Sequence, residues 1–222
     1  PYFHDGAVVA YGWAFIPCTA IGGRVPSGVS PFNRTVFEEG LQIPPPLLVR
    51  GGELNESLLD LIRLNARTAE ANVSDIKAML AGLRAGERQV TALVDRYGRD
   101  GFVSIQRELQ DGAAEHARSL FRALPPGTYR FSDFLDDDGV SRHPVRFQVT
   151  TTIRPSGDVT IDFAGTDPQV SSAYNIVSHG RPHAMVTGRV RSVLQTLDPA
   201  TPVHGGNVGA LTVGAPPGSA VY

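Results

Sequence analysis

The stretch PPGTYRFSDFLDDDGVSRHPVRFQVTTTIRPSGDVTIDF, residues 125–163, decides the fold. Upstream of it apolar residues recur every three to four positions. Within it they recur every second position, and that change of period separates helix from strand. Thr128 to Leu135 alternates and runs into Asp136-Asp137-Asp138-Gly139, which reads as a solvated turn. Val145 to Ile153 alternates again, Pro155-Ser156-Gly157-Asp158 supplies a turn, and Val159 to Phe163 returns as the partner of a β-hairpin.

Working upstream, Leu54, Leu58, Leu61, Ile62 and Leu64 fall on one helical face, with Asn55 or Ser57 as the cap. A longer helix is predicted from about Ala69 to Tyr97, striped by Val73, Ile76, Met79, Leu80, Leu83, Val90, Leu93 and Val94. Gly82 and Gly86 each weaken it by about 1 kcal/mol relative to alanine, so close packing against another helix is expected there. A third helix, about Gly101 to Leu124, is bounded by Asp100 and by Pro125-Pro126-Gly127.

Residues 1–53 read as strand and loop. His4-Asp5-Gly6 is a turn and Val8 to Ile16 an apolar, buried strand that Pro17 ends. Gly22-Gly23 then turns the chain into a polar loop, Arg24 to Arg34, and Pro44-Pro45-Pro46 keeps the following segment extended. Downstream, a last helix is expected from about Pro182 to Leu197 and a short strand near Leu211 to Val213. Helices and strands are thus segregated along the chain. The fold class is α+β: a helical segment at about 54–124, then an antiparallel β-rich segment at 125–222 with a late helix.

Bulk composition excludes several classes of function. With 222 residues, 41% of them apolar, the chain can bury a sizeable core as one large domain or two small ones. A net charge of −2 argues against a nucleic-acid footprint or a basic membrane-surface helix. No apolar run approaches the ~18 residues of a membrane span. The single Cys18 precludes an internal disulfide and suits a reducing compartment, so a cytoplasmic location is expected. No GxxxxGK[ST] phosphate loop is present.

Several polar groups invite a chemical reading beside a structural one. Glu38-Glu39 could supply an acid–base carboxylate, or anchor its loop through Arg24 or Arg34; in an extended segment only one of the pair would face a given pocket. In Asp162-Phe163-Ala164-Gly165-Thr166-Asp167-Pro168, followed by Asn175, turn chemistry alone explains the residue types, yet polar groups at a strand end can also orient a small substrate. His179 and His183 straddle Gly180-Arg181-Pro182, which speaks against a helical metal pair. His204, before Gly205-Gly206, is either a structural histidine or one beside a backbone that approaches a ligand. The Asp136–Asp138 run lacks the closing glutamate of an EF-hand loop.

In order and spacing, GGRVPSG (22–28), FEEGLQIPP (37–45), GELNESLLDLIRLNARTAEANVSD (52–75), TYRFSDFLDDDG (128–139), VTIDFAGTDPQVSSAYN (159–175) and LDPATPVHGGN (197–207) resemble the hydantoinase B/oxoprolinase family. That family comprises B subunits of ATP-dependent hydantoinases, the C-terminal half of 5-oxoprolinase and related ketone carboxylase subunits. The resemblance implies the central part of a B-type subunit, in a hetero-oligomer with a hydantoinase A-type subunit that carries ATP and Mg. It implies ATP-dependent opening of a cyclic amide, or carboxylation of a ketone, on a small molecule whose carbonyl or enol oxygen has been phosphorylated. The family keeps a sequence similar to Asp162-Phe163-Ala164-Gly165-Thr166 followed by an asparagine. Together with the residue chemistry above, the candidates are Glu38, Asp162, Asp167 and His204 as catalytic groups and Thr166 and Asn175 as substrate-binding ones.

The chain departs from the family pattern at two places, one of them His204, which stands where family members usually carry asparagine. Where the family carries His-His-x-Asp before Ile-Gly-Gly, this sequence has Pro17, Cys18 and Ala20. Proline and alanine offer no ligand atom, so no metal ligand is assigned to this chain, and an apolar strand end with a buried thiol is expected instead. That departure also admits an alternative, a non-catalytic scaffold subunit whose metal site has been lost.

Overall fold

A computed structural model describes residues 1–26 and 30–222; Ser27 to Val29, inside the expected polar loop and overlapping the last two residues of the GGRVPSG stretch, lie outside the described residues. The chain divides into two compact units, Pro1–Val103 and Ser104–Tyr222.

In the first unit, β1 (Tyr2–His4) and β2 (Ala7–Ala10) form an antiparallel hairpin. Its turn is Asp5-Gly6, both at positive φ, 48° and 75°. The same device closes β3 (Val49–Arg50) onto β4 (Glu53–Leu54), through Gly51 and Gly52 at φ 59° and 90°. Asn55 caps α1 (Glu56–Asn65) by accepting from the Leu58 N–H at 3.2 Å. After a short break α2 runs over Ala69–Tyr97 and ends at Gly98, φ 72°. Leu59, Ile62, Val73 and Ile76 meet where α1 faces α2, and Ile21, Ile43 and Leu48 pack against them.

Three expectations for this unit are corrected. The strand predicted over Val8 to Ile16 stops at Ala10. Beyond it Tyr11, Trp13 and Phe15 point outward, 78%, 82% and 71% exposed, with the Trp13 and Phe15 rings stacked 6.0 Å apart. Apolar residues reach the interior only where a partner layer covers them, and here none of the described residues does. Cys18 is exposed, not a buried thiol. The glycines of α2 do not mark helix packing: Gly82 faces open space, and Gly86 lies against the Tyr2 hydroxyl, which itself donates to the Leu83 carbonyl at 2.7 Å.

The second unit holds the residues of α3 (Arg99–Arg122) from Ser104 onward and a four-stranded sheet in the order β5 (Gly127–Leu135), β6 (Val145–Ile153), β7 (Val159–Asp162), β8 (Leu211–Gly214). β5 and β6 pair antiparallel over nine residue pairs, from Gly127↔Ile153 to Leu135↔Val145. β6 and β7 form the expected hairpin, but β8 joins β7 in parallel, which the purely antiparallel expectation missed. A parallel neighbour needs a crossover, and α4 (Ala184–Leu197) lies within it. Alternation puts Val159 and Ile161 inward, where they pack with Ala117 and Phe121 of α3, Leu194 of α4 and Ala210. The β6–β7 turn is pinned to α3: Arg118 Nε donates to Asp158 Oδ1 at 2.9 Å, and Arg122 donates to the Ser156 carbonyl at 3.1 Å.

The aspartate run before β6 is also corrected. Asp138 is only 1% exposed and not solvated. Its Oδ1 accepts from the N–H groups of Val140 and Ser141, at 2.9 and 2.5 Å, and from the Ser141 hydroxyl at 2.8 Å. Burial pushes that carboxyl up, but these donors outweigh it and hold it below the usual carboxylate range.

Candidate functional site

The second unit contains a cavity of about 400 Å³ on the inner face of its sheet. That size lies within the ~300–1,000 Å³ usual for small-molecule sites. Phe147 and Val149 of β6, Ile161 and Phe163 at β7 and Val213 of β8 form its floor, and Val186 and Val190 of α4 face them. A third wall comes from the loop after β7, which zips onto the chain's last residues. Ile176 N–H donates to the Ala220 carbonyl at 2.8 Å, and the Ser178 hydroxyl to the Val221 carbonyl at 2.6 Å. The polar side chains at the cavity are few: Thr151, Ser178, Arg181, His183 and Arg189.

The Asp162-to-Asp167 turn lies on the other side of that sheet. Ile161 and Phe163 both line the cavity, so Asp162 between them points to the outer face, where its Oδ1 accepts from the Ala164 N–H at 2.9 Å. The turn then folds over Gln148, itself an outward residue of β6. Thr166 Oγ1 accepts from the Gln148 N–H and donates to the Gln148 carbonyl, both at 3.1 Å. Asp167 Oδ2 accepts from the Arg146 N–H at 2.8 Å, and its Oδ1 lies 3.7 Å from the Arg146 guanidinium. Asn175 closes the next loop, accepting from the Val170 N–H at 2.9 Å and donating to the Val170 carbonyl at 2.7 Å.

The structure thus brings Asp162, Thr166 and Asp167 together in one turn and places Asn175 just after it. His204 sits elsewhere in the unit, capping a 3-10 turn (Gly205–Ala210): its Nδ1 accepts from the Gly206 N–H at 3.2 Å. It lines a second cavity of about 480 Å³ with Glu108, His116 and Asp198. There His116 Nε2 lies 3.1 Å from Asp198 Oδ2 and 3.2 Å from Thr201 Oγ1. Gly206 is explained by packing: a Cβ there would lie 2.6 Å from the Gln110 carbonyl of α3.

Glu38 belongs to the first unit and ends a single 3-10 turn (Val36–Glu38), rather than lying in an extended segment. Its Oε2 accepts from the N–H groups of Arg34 and Thr35 at 2.6 and 3.1 Å, and its Oε1 lies 3.5 Å from Arg24. The Arg34 and Thr35 N–H groups are the main reason its carboxyl falls below the usual range, with Arg24 adding to them. Glu39 accepts from the Asn33 amide at 3.2 Å.

The Pro17-to-Ala20 segment does not fit a metal. Among the described residues no three histidines, cysteines or acids group to hold an ion. Instead Asn72 of α2 donates to the Thr19 carbonyl at 3.0 Å, and the Thr19 and Thr68 hydroxyls meet at 2.9 Å. Ala20 adopts φ 52°, a conformation that Asp, Asn and Gly accept more readily than alanine.

Reading the sequence missed Arg181, Arg189, His116 and Asp198. A signal existed for Arg189, a charged residue on the same helical stripe as Met185, Val186 and Val190.

A model of the hydantoinase B/oxoprolinase family matches residues 1–222. The chain is 33% identical over 171 residues to the caprolactamase subunit beta of Pseudomonas jessenii, covering 77% of this chain and 29% of that one. It is 25% identical over 207 residues to the acetophenone carboxylase delta subunit of Aromatoleum aromaticum, covering 93% and 30%. The crystal structure of the ATP-dependent caprolactamase from Pseudomonas jessenii superposes with a TM-score of 0.71 at 28% identity, over 90% of this chain and 34% of that one. The chain spans about a third of the length of the caprolactamase, hydantoinase and carboxylase subunits it matches, and less than a fifth of the 5-oxoprolinases.

Proposed function

The chain belongs to the hydantoinase B/oxoprolinase family, and we propose that it is the central part of a B-type subunit. In this reading an A-type partner uses ATP and Mg to phosphorylate a carbonyl or enol oxygen. The B-type subunit then houses the activated small molecule while a cyclic amide is opened or a ketone carboxylated. The observation that carries the reading is the family match over the whole chain. The similarity to an ATP-dependent caprolactamase and to a carboxylase subunit supports the two reaction types. The assignment of ATP to the partner rests on the family resemblance. A cytoplasmic hetero-oligomer is part of the proposal; among the described residues no helix is long and apolar enough to cross a membrane.

The proposed site residues divide by what their polar atoms still offer. Glu38, Thr166, Asp167 and Asn175 bind nearby backbone, and Asp162 keeps one carboxylate oxygen outside its turn bond. His204 offers more: with Nδ1 accepting from Gly206, its neutral ring carries the proton on Nε2, suited to donation. We therefore assign His204 the proton-donor role, Asp162 and Asp167 supporting catalytic roles, and Thr166 and Asn175 the shaping of the substrate loop.

The test is ATP turnover by the protein co-expressed with its A-type partner, with cyclic amides or with ketones and bicarbonate. His204→Asn keeps the 3-10 cap but has no titratable proton donor, and is expected to lower turnover about 100-fold or more. Full turnover in His204→Asn and in alanine variants at Asp162 and Asp167 would favour a scaffold subunit. That second reading draws on the missing ligand atoms at Pro17 and Ala20, and stoichiometric Mn or Zn bound to the chain would count against it.

A further inference from the structure

The second cavity carries a histidine whose tautomer is decided by its neighbours. Leu109, Gly112, Ala113 and His116 line it from one face of α3, while Asp198 and His204 line it from the chain after α4. A helical side chain leans toward the helix N-terminus, so the His116 ring leans toward Gly112. A Cβ built at Gly112 would meet no atom within 4 Å, which leaves that side of the ring open. The Nε2 edge of the ring reaches the opposite wall, 3.1 Å from Asp198 Oδ2 and 3.2 Å from Thr201 Oγ1. A carboxylate oxygen only accepts, and the Thr201 hydroxyl turns its proton to the Leu194 carbonyl at 3.4 Å. Nε2 therefore carries a proton. Nδ1 has no hydrogen-bond partner among the described residues and keeps its lone pair in the neutral ring. Asp198 is itself fixed, its Oδ1 accepting from the Ala200 N–H at 2.9 Å and its N–H donating to the Leu194 carbonyl at 2.8 Å. Among the described residues of the second unit, His116 is the only histidine within ion-pair distance of a carboxylate.

From these bonds, and resting on the proton-donor role proposed above for His204, we infer that His116 is the proton acceptor of the same cavity and Asp198 its positioning residue. Asp198 holds the ring in the tautomer whose Nδ1 can take a proton, and its charge faces the imidazolium that forms. The two histidines offer opposite groups to the cavity, His116 a lone pair on Nδ1 and His204 a proton on Nε2. In the addition of water to a phosphoryl-activated cyclic amide, water loses a proton to His116 Nδ1 as its oxygen bonds to the activated carbon. The electron pair released onto the ring nitrogen takes the proton of His204 Nε2. Exchange with solvent then restores both histidines.

The test joins ATP-dependent turnover by the protein co-expressed with its A-type partner to nitrogen-15 NMR of the histidine rings. His116→Gln can still donate to Asp198 but has no imidazole lone pair; kcat should fall at least about 100-fold with KM changed less than about twofold. Asp198→Asn keeps an oxygen for the Ala200 N–H but turns an N–H toward Nε2, which moves the ring proton to Nδ1. NMR should show that change of tautomer, and kcat should fall with it. Added imidazole should restore part of the turnover of His116→Ala, which a purely structural tie between α3 and the chain after α4 would not allow. His143→Gln, at an exposed histidine that lines neither cavity, should leave turnover unchanged. Full kcat in His116→Gln beside an active wild type would overturn the proposal, as would an Nδ1–H tautomer in the wild type. A wild-type complex inactive on cyclic amides and on ketones with bicarbonate would refute the ATP-dependent reading, and the role of His116 would fall with it.

Discussion

Gly157→Ala probes the pinning of the β6–β7 hairpin to α3. Gly157 sits in that turn at φ 86°, where a side chain costs about 1–2 kcal/mol by backbone conformation alone. A Cβ there would also collide with the Arg118 carbonyl oxygen and lie 2.9 Å from Arg118 C and Cα. Helix backbone cannot swing aside as a side-chain tip can, so the hairpin must lift, at a further cost of about 1–3 kcal/mol. Against this, alanine reduces the freedom of the unfolded chain, worth about 0.4–1 kcal/mol. The balance is a loss of roughly 2–4 kcal/mol. Urea unfolding should show a lower midpoint at unchanged slope. Gly112→Ala is the control: it lies on the same helix with nothing within 4 Å of its Cβ position, and should gain up to about 1 kcal/mol. A Gly157→Ala loss below about 1 kcal/mol, or equal shifts for the two variants, would refute the contact.

Three further outcomes follow from other parts of the fold. Leu194→Ala, at a residue 0% exposed between α4 and the sheet, should cost about 2–5 kcal/mol in urea unfolding; less than 1 kcal/mol would mean the core does not close there. Ala20→Gly relieves a left-handed alanine and should stabilise by about 0.5–1 kcal/mol, whereas Ala78→Gly in the exposed middle of α2 should destabilise by about 1 kcal/mol; thermal melts showing the same sign for both would be inconsistent with φ 52° at Ala20. The Asp158 carboxyl is held low by the Arg118 bond and the Ser156 hydroxyl, and Asp138 lies low as well. Depressed folded values contribute stability above the unfolded carboxyl range and lose it as pH falls through the folded ones. Unfolding free energy should therefore be level between about pH 7 and 5 and fall below about pH 4, with a shallower fall in Asp138→Asn; an unchanged acid limb in that variant would refute the role of Asp138.

The helices and the β5–β7 strands were legible because each carries its own period and its own stop signals. Asn55 and Gly98 end helices by local hydrogen bonding and positive φ, and such signals do not depend on what packs nearby. The failures have a common cause, which is dependence on neighbours distant in sequence. Tyr11, Trp13 and Phe15 have the composition of a core strand, but burial requires a covering layer that their own residue types cannot provide. Asp138 reads as solvated because charge usually is, and only the loop geometry delivers three donors to one oxygen. The structural roles of Glu38 and Thr166 were visible as turn and cap chemistry. The cavity was not visible, since its walls come from β6, β7, β8, α4 and the last residues of the chain.

Strand alternation then limits where chemistry at that cavity can originate. β7 presents Val159 and Ile161 inward and Asp162 outward, and Phe163 returns to the inner face. The Asp-Phe-Ala-Gly-Thr-Asp turn consequently spends its polar atoms on the outer face of β6, at Gln148 and Arg146. Moving Asp162 to the cavity would require a one-residue slip of β7, which would expose Ile161 and break its register with Val213. Polar groups that line the cavity therefore come from Thr151 of β6, from the loop before α4 and from the helix itself. Ser178, Arg181, His183 and Arg189 are the polar residues that the loop and the helix place along it. The turn that most resembles a site in sequence makes its bonds to Arg146 and Gln148 on the outer face of the sheet, away from the cavity.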